Sequence, residues 1–291
     1  MHSIKPTMFA INVGTNSSDL ELISSLHRGP ALLPWSQRSE SIRLIFYVSA
    51  TITTTYILFL TIFRLLSYKE KNSKRWETPQ RQKISYQATN LCVNFFLGTY
   101  GIYKWTTAVP ELSSLAVTQT ISGFQEFTPF AALQIGYNLW SLPMGLLVIN
   151  ESKAMIGHHI ATLSVACVSC FSMYGLRYYC PFFYGVIEIS SVPLTIMNFM
   201  REQRHLVSDA LYAYVKILFG TAFLLTRVVL WTPQIYEVLR CAGMLCYTCE
   251  SGLCTVVTGS FCISAFSLTM LQYYWGLKVI RGLSSITKKF A

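Results

Sequence analysis

Residues 154–174 read AMIGHHIATLSVACVSCFSMY, and residues 181–200 read PFFYGVIEISSVPLTIMNFM. Each stretch is long and apolar enough to cross a bilayer core of about 30 Å as a helix, which needs roughly 17–25 residues. The first carries two adjacent histidines, His158 and His159, and the second carries the carboxylate of Glu188. Ionisable groups inside a membrane are costly unless they face protein or water, so these three side chains mark a candidate functional site.

The composition of the 291-residue chain supports a membrane setting. Hydrophobic residues make up 52% of the chain and charged residues only 12%, whereas soluble domains contain about 25% charged residues. Stretches that satisfy the length of a spanning helix are 42–66, 84–105, 128–149, 154–174, 181–200, 210–232 and 255–280. We therefore predict an all-α integral membrane protein, with about seven transmembrane helices in one bundle around a polar-lined lipid cavity.

The distribution of basic residues predicts the orientation, because short loops rich in lysine and arginine stay in the cytosol. The connection between the first two predicted spans contains Lys69, Lys71, Lys74, Arg75, Arg81 and Lys83. The next connection, residues 106–127, contains no lysine or arginine. We expect a lumenal tail over residues 1–41, a membrane domain over residues 76–285 and a cytosolic tail over residues 286–291. The net charge of +10 then lies mostly on one face, where it suits membrane lipids and not nucleic acid.

Two features fit a lumenal position for these segments. Asn16 begins an Asn-Ser-Ser glycosylation sequon in the N-terminal tail. Four cysteines cluster in the last lumenal connection, at Cys241, Cys246, Cys249 and Cys254. An oxidising lumen permits disulfides, and four cysteines allow three pairings. Zinc is the alternative for this cysteine spacing, but we predict disulfides and no metal site, since no histidine is nearby.

The chain ends in Lys288-Lys289-Phe290-Ala291. Two lysines at the third and fourth positions from a cytosolic end resemble the dilysine signal by which coat proteins return membrane proteins to the endoplasmic reticulum. Such a signal is an address read by a receptor and not an anchor. The alternative is ordinary positive charge beside the last span.

Polar residues recur at helical spacing within the predicted spans. Steps of three and four residues place side chains on one helix face. Candidates for the lining of a shared polar cavity are Asn90, Asn94, Tyr137, Asn138, Ser191, Thr195 and Arg227. The alternative is helix association, in which amides and small residues bond across helices for roughly 0.6–2 kcal/mol each. We favour a cavity that admits a lipid headgroup, because packing alone rarely needs histidines and a carboxylate.

The histidines and Glu188 are the candidates for catalysis if the protein is an enzyme. A neutral imidazole at His158 or His159 can take a proton from a nucleophile, since its ordinary pKa is about 6.5. The alternative for both histidines is hydrogen bonding between helices. Glu188 has a competing partner in Arg227, with which it would form a structural ion pair. By residue count Glu188 lies deeper than the histidines, so contact among the three requires tilt, water or substrate.

Several segments, taken in order, resemble the TLC-domain family, the family of the ceramide synthases and their non-synthase relatives. The segments are 136–160 with its Ile-Gly-His-His-Ile end, 188–191, 223–227, 274–278 and 280–283. The resemblance covers residue 76 to the end of the chain. It implies a helical bundle around a lipid cavity in the endoplasmic reticulum and, in the synthase branch, transfer of an acyl group from acyl-CoA to the amine of a sphingoid base.

The chain departs from the synthase pattern at acidic positions. The synthase branch has a His-Asp pair and a further Asp in the fifth span, where this chain has Ile187-Glu188 followed by Ser190 and Ser191. Ser141 stands where an acid is usual. We therefore expect a lipid-binding protein of membrane-lipid or sphingolipid homeostasis, without a resident cofactor. An acyl-CoA-dependent sphingosine N-acyltransferase is the alternative, and a seven-helix signalling receptor is a third interpretation that leaves the histidine pair unexplained.

Overall fold

The computed structural model describes residues 32–69, 78–112, 115, 117–248 and 252–290, and these residues are almost entirely helical. The helices are α1 (Trp35–Lys69), α2 (Thr78–Thr107), α3 (Val117–Ser122), α4 (Thr128–Met144), α5 (Lys153–Phe171), α6 (Cys180–Phe183), α7 (Ser191–Glu202), α8 (Asp209–Leu224), α9 (Trp231–Thr248) and α10 (Gly252–Phe290). Single π-helical segments continue α4 through Gly145–Ile149 and join α8 to α9 through Leu225–Val229. The predicted all-α fold is confirmed.

Among the described residues, six helical segments are long and apolar enough to cross a membrane. They are Trp35–Leu66, Gln119–Ile149, Lys153–Phe171, Arg177–Glu202, Asp209–Tyr247 and Gly252–Ser285. The remaining predicted span, 84–105, lies within α2, which has 30 residues but is too polar to meet the same criterion. The protein is therefore a multi-pass membrane bundle. The predicted number of about seven transmembrane helices is reached only if the more polar α2 is included.

Large apolar side chains cover the outside of these helices. Phe46, Leu147, Val256 and Ile263 are each more than half exposed. Such surfaces are rare on soluble monomers and are expected where lipid tails surround a protein. The outward-facing residues thus agree with the membrane assignment.

The segment Arg177–Glu202 is the most buried of the six and is not one continuous helix. Two short 3-10 turns, Arg177–Tyr179 and Val186–Ser190, interrupt it before α7 begins. Irregular backbone at membrane depth is tolerated only where it is buried in protein or lines a cavity. The break around Val186–Ser190 places the Glu188 carboxylate inside the bundle, where it is 7% exposed.

Glycines let α2 approach this irregular segment to backbone contact. A Cβ atom on Gly101 would lie 2.4 Å from the carbonyl carbon of Gly185, and one on Gly98 would lie 2.9 Å from the nitrogen of Ile189. Real side chains essentially never approach that closely, so glycine is required for this crossing. The close approach brings the polar face of α2 beside α7, where Asn94 donates a hydrogen bond to Thr195 at 3.3 Å.

The structure extends the helices beyond several predicted boundaries. α1 begins at Trp35, inside the tail predicted over residues 1–41, and α10 continues to Phe290, through most of the tail predicted over residues 286–291. α9 runs to Thr248, so part of the predicted cysteine-bearing connection is helical. The helices continue through polar residues such as those at 36–41, so the end of an apolar stretch does not mark the end of the helix.

Candidate functional site

A cavity of about 300 Å³ lies between α2, α4, α5, α7, α8 and α10. We call it the polar chamber and define it by the side chains that the helices direct into it. His158, His159 and Glu188 all line it, as do Asn90, Asn94, Tyr137, Ser191, Thr195 and Arg227. The structure therefore brings nearly all the predicted site residues around one space.

Asn138 is the one candidate cavity residue that does not line the polar chamber. It is fully buried behind His159, and its Oδ1 atom lies 2.9 Å from the Nδ1 atom of that histidine. Its amide group donates to the carbonyl of Gln134 at 2.8 Å. Asn138 thus orients His159 and has no surface in the chamber, because it lies one residue beyond Tyr137 and points to the next face of α4.

Each ring nitrogen of His159 lies near a polar side chain. Besides the Asn138 contact at Nδ1, its Nε2 atom lies 3.5 Å from a carboxylate oxygen of Glu151. The other oxygen of Glu151 accepts a hydrogen bond from the hydroxyl of Tyr86 at 2.9 Å. Carboxylates that orient a histidine in this way are typical of both binding and catalytic sites. The carboxylate beside the histidine pair is therefore Glu151, which was not among the predicted site residues.

Glu151 reaches the polar chamber because the chain turns sharply between α4 and α5. Asn150 adopts a left-handed conformation with φ of 56°, which asparagine tolerates better than most residues. The amide of Glu151 then donates to the carbonyl of Gly145 at 3.0 Å. A Cβ atom on Gly145 would lie 2.8 Å from the Glu151 carboxylate. Gly145 and Asn150 together give the carboxylate its position.

His158 points in a different direction from His159, as expected for adjacent helical residues. Its ring packs edge-on against Trp275 of α10, with centroids 5.4 Å apart. Its buried Nδ1 atom has no hydrogen-bond partner within the described part of the chain. Of the two histidines, His158 is therefore the one with a ring nitrogen free to contact a ligand.

Glu188 and Arg227 form the ion pair that the sequence analysis offered as an alternative. Nη2 of Arg227 lies 3.1 Å from Oε2 of Glu188, and both side chains are at most 10% exposed. Ser191 donates to the same carboxylate oxygen at 2.7 Å, and the Nε atom of Arg227 donates to Ser190 at 2.8 Å. The pair is confirmed, and its hydrogen bonds join the broken segment Val186–Ser190 to the π-helical turn that carries Arg227.

A second, smaller cavity of about 50 Å³ adjoins the polar chamber. We call it the apolar channel. It runs among α5, α9, α10 and the segment Leu176–Glu188, and its walls include Val165, Phe183 and Leu268. The chamber and the channel share His158 and Glu188 as lining residues. The two cavities thus meet between these side chains, with a polar space on one side and an apolar space on the other.

The four candidate disulfide cysteines do not behave alike. Cys254 is disulfide-bonded, whereas Cys241 and Cys246 are free thiols, so the disulfide prediction is wrong for these two in this structure. The reason for Cys241 is its position in α9, where the helix buries it in the apolar core. Cys249 lies outside the described residues. The glycosylation candidate Asn16 and the side chains of Lys288 and Lys289 also lie outside them.

Comparison with known families supports the resemblance noted from the sequence. The model of the TLC domain matches residues 38–281. No curated protein matches the chain. The family match begins close to the start of α1 and ends within α10, so it covers the whole helical bundle that surrounds the polar chamber. Since this match spans well over half of the sequence, the chain belongs to the TLC-domain family.

Proposed function

We propose that the protein binds a membrane lipid, with the headgroup in the polar chamber and the adjoining part of an acyl chain in the apolar channel, and that it thereby takes part in membrane-lipid or sphingolipid homeostasis. The observation that carries the proposal is the meeting of the two cavities at His158 and Glu188. A cavity that is polar at one end and apolar at the other is complementary to an amphiphile. The family and its helical bundle support a role in lipid biology.

The electrostatics of the polar chamber favour binding of a polar headgroup by hydrogen bonds. Both of its carboxylates have partners, since Glu188 pairs with Arg227 and Glu151 contacts His159. Paired charges cost less to bury than isolated ones and remain available as donors and acceptors. The chamber therefore offers oriented dipoles to a headgroup, together with the unpaired Nδ1 atom of His158.

Lipid analysis of purified protein tests the binding proposal. We expect a specific lipid class to copurify with the wild type and to be lost, by roughly tenfold or more, from a His158→Ala variant. Gly157→Ala is the matched control, because a Cβ atom there meets no neighbouring atom within 4 Å. Identical lipid profiles for wild type and His158→Ala, both resembling the bulk membrane, would contradict the proposal.

A second function, acyl-CoA-dependent N-acylation of a sphingoid base, is favoured by one observation. The His159–Glu151 contact and the free Nδ1 atom of His158 provide an oriented histidine beside one able to accept a proton. In that reaction the amine nitrogen attacks the thioester carbonyl and the carbon–sulfur bond breaks. His158 takes the proton from the amine and returns it to the leaving thiolate. Acyl-CoA would be a co-substrate.

An acyl-transfer assay separates the two functions. Protein in lipid nanodiscs receives a labelled sphingoid base with acyl-CoA, beside a folded His158→Ala/His159→Ala variant. The lipid-binding proposal expects no labelled ceramide from either protein. Labelled ceramide from wild type and none from the variant would establish the N-acyltransferase and displace the binding proposal.

We further propose that the protein resides in the endoplasmic reticulum, with its N-terminus lumenal and its C-terminus cytosolic. Gln80 of α2 donates to the carbonyl of Glu202 at 3.2 Å. This contact brings the start of α2, which carries Arg81 and Lys83, beside the end of α7, which carries Arg201. Basic residues at one end of a bundle favour the cytosol for that end. Replacement Asn16→Gln should remove a glycan-dependent shift in gel mobility, and no glycan on wild type would argue against the orientation.

The dilysine end supplies a separate proposal about localisation. Coat proteins would bind Lys288 and Lys289 and return the protein to the endoplasmic reticulum. Replacing both lysines by serine should move a tagged protein to the Golgi or the cell surface, as seen by fluorescence microscopy. An unchanged reticular pattern would reject the retrieval signal without affecting the lipid-binding proposal.

A further inference from the structure

The apolar channel contains a polar layer directly beyond the polar chamber. α5 and α10 pack against each other along the channel. At the level where chamber and channel meet, the ring of His158 contacts that of Trp275. One helical turn further along each helix, Thr162 and Gln272 line the channel. Steps of four and three residues keep these side chains on the faces that already carry the two rings.

Beyond this layer the channel wall is mostly apolar, with the hydroxyl-bearing side chains of Ser169, Tyr179 and Tyr184 further along. Val165 on α5 and Leu268 on α10 form the next level of the wall, and Phe261 lies further along. Gln272 and Thr162 therefore place polar groups between a headgroup space and a hydrocarbon space. The residues of α10 that line the channel are otherwise apolar. The carboxamide of Gln272 in this wall therefore needs an explanation.

The polar atoms of this layer lack partners. Gln272 has an exposed fraction of 0%, and neither its Nε2 nor its Oε1 atom forms a hydrogen bond to any described residue. The hydroxyl of Thr162 is likewise without a partner among them. Buried side-chain polar atoms are bonded in the large majority of cases, so unsatisfied atoms that line a cavity are available to a ligand.

Helix packing does not explain the layer. Polar residues that join helices bond to one another across the interface, and Gln272 and Thr162 do not. Threonines elsewhere in the bundle satisfy their hydroxyl on the carbonyl four residues earlier, as Thr195 and Thr269 do. Thr162 leaves that local bond unmade, and its hydroxyl remains available to a molecule in the channel.

We propose that Gln272 and Thr162 form a subsite that binds a hydroxyl group on the chain of the bound lipid, about one helical turn, or ~5 Å, beyond the headgroup. A hydroxyl both donates and accepts, which matches the carboxamide and the threonine hydroxyl together. An ester carbonyl only accepts and would leave Oε1 of Gln272 without a partner. The inference rests on the proposed lipid-binding function and specifies which lipid the channel prefers.

Three fatty acids of equal length test the subsite: palmitate, 3-hydroxypalmitate and 16-hydroxypalmitate. Binding to delipidated protein in detergent is measured by native mass spectrometry and by displacement of a fluorescent fatty acid. We expect 3-hydroxypalmitate to bind roughly tenfold more tightly than palmitate, the factor that one or two net hydrogen bonds supply. A hydroxyl at the chain end lies beyond Gln272 and Thr162, so 16-hydroxypalmitate should show no such gain over palmitate.

Three variants separate recognition from folding. Gln272→Met and Thr162→Val keep side-chain size and remove the polar atoms, so each should abolish the hydroxyl preference and leave palmitate binding unchanged. Thr162→Ser retains the hydroxyl and should retain the preference. Because Gln272→Met removes unsatisfied buried groups, the apparent Tm of the lipid-free variant should be equal to or above that of wild type. A Tm lowered by Gln272→Met would show a structural carboxamide and overturn the proposal.

The remaining outcomes distinguish the subsite from the function on which it rests. Equal binding of palmitate and 3-hydroxypalmitate to wild type overturns the subsite and leaves lipid binding intact. An undiminished hydroxyl preference in the Gln272→Met/Thr162→Val double variant also overturns it. Failure of all three acids to bind overturns both the subsite and the proposed lipid-binding function.

Discussion

Breaking the ion pair between Glu188 and Arg227 should destabilise the bundle strongly. The two charged groups are 3.1 Å apart and nearly buried. At that distance and an effective dielectric constant of about 20, unit charges attract by roughly 5 kcal/mol. Removing one partner also leaves the other charge buried and unpaired, for which measured costs are about 3–5 kcal/mol. We expect Arg227→Met to lower the free energy of unfolding by that amount.

The double variant gives the decisive comparison. Glu188→Gln/Arg227→Met removes both charges, and the new amide keeps a contact with the hydroxyl of Ser191, which now donates to Glu188 at 2.7 Å. Since no unpaired charge remains, the double variant should recover at least ~2 kcal/mol relative to Arg227→Met. Equilibrium unfolding in mixed micelles, titrated with sodium dodecyl sulfate and followed by tryptophan fluorescence, measures each step of the cycle.

Arg240→Met serves as the matched control. Arg240 pairs with Glu237 at 2.7 Å, but the two side chains are 26% and 28% exposed. A pair with that exposure contributes about 0–1 kcal/mol, so its loss should be small. The reasoning is refuted if Arg227→Met costs no more than Arg240→Met, or if the double variant is as unstable as Arg227→Met alone.

Three further substitutions have expected outcomes. Gly101→Ala places a Cβ atom 2.4 Å from backbone and should abolish the monodisperse peak in size-exclusion chromatography, whereas Gly157→Ala should not. Cys254→Ser removes a disulfide and should lower stability by about 2–5 kcal/mol; unchanged unfolding would reject this bond as a stabilising one. Tyr86→Phe removes the hydroxyl that donates to Glu151, for which we expect a loss of roughly 1–2 kcal/mol and reduced lipid copurification, and wild-type values for both would contradict the assigned contact.

The sequence predicts the polar chamber well because its lining follows helical periodicity. Asn90 and Asn94 are four residues apart, as are Ser191 and Thr195, and all four line the cavity. A spacing of this kind fixes which side chains share a face before any packing is known. The ion pair of Glu188 with Arg227 could be predicted for a related reason. The two residues lie at similar depths in their spans, and few other charged side chains are available at that depth.

The carboxylate of Glu151 could not be found by the same reasoning. It follows a left-handed residue, Asn150, and precedes the helix that carries His159. Its contact therefore depends on a turn geometry that hydropathy and periodicity do not encode. The only available signal was an acid eight residues before a histidine at the boundary of a predicted span. The unsatisfied Gln272 was missed for another reason, because one amide in an apolar helix is indistinguishable in sequence from a helix-packing amide.

The polarity of α2 has a consequence for how the protein is made. Six segments of the described chain are apolar enough to partition into a bilayer individually, and Thr78–Thr107 is not among them. This helix carries Asn90 and Asn94 and contacts the segment around Gly185 through bare backbone. We therefore expect its stable insertion to need α1, on which it packs, and also later partners such as Thr195, which bonds to Asn94 from 101 residues further along the chain. The wall of the cavity that α2 forms is thus expected to be completed only after the segment around Gly185 and α7 has been synthesised.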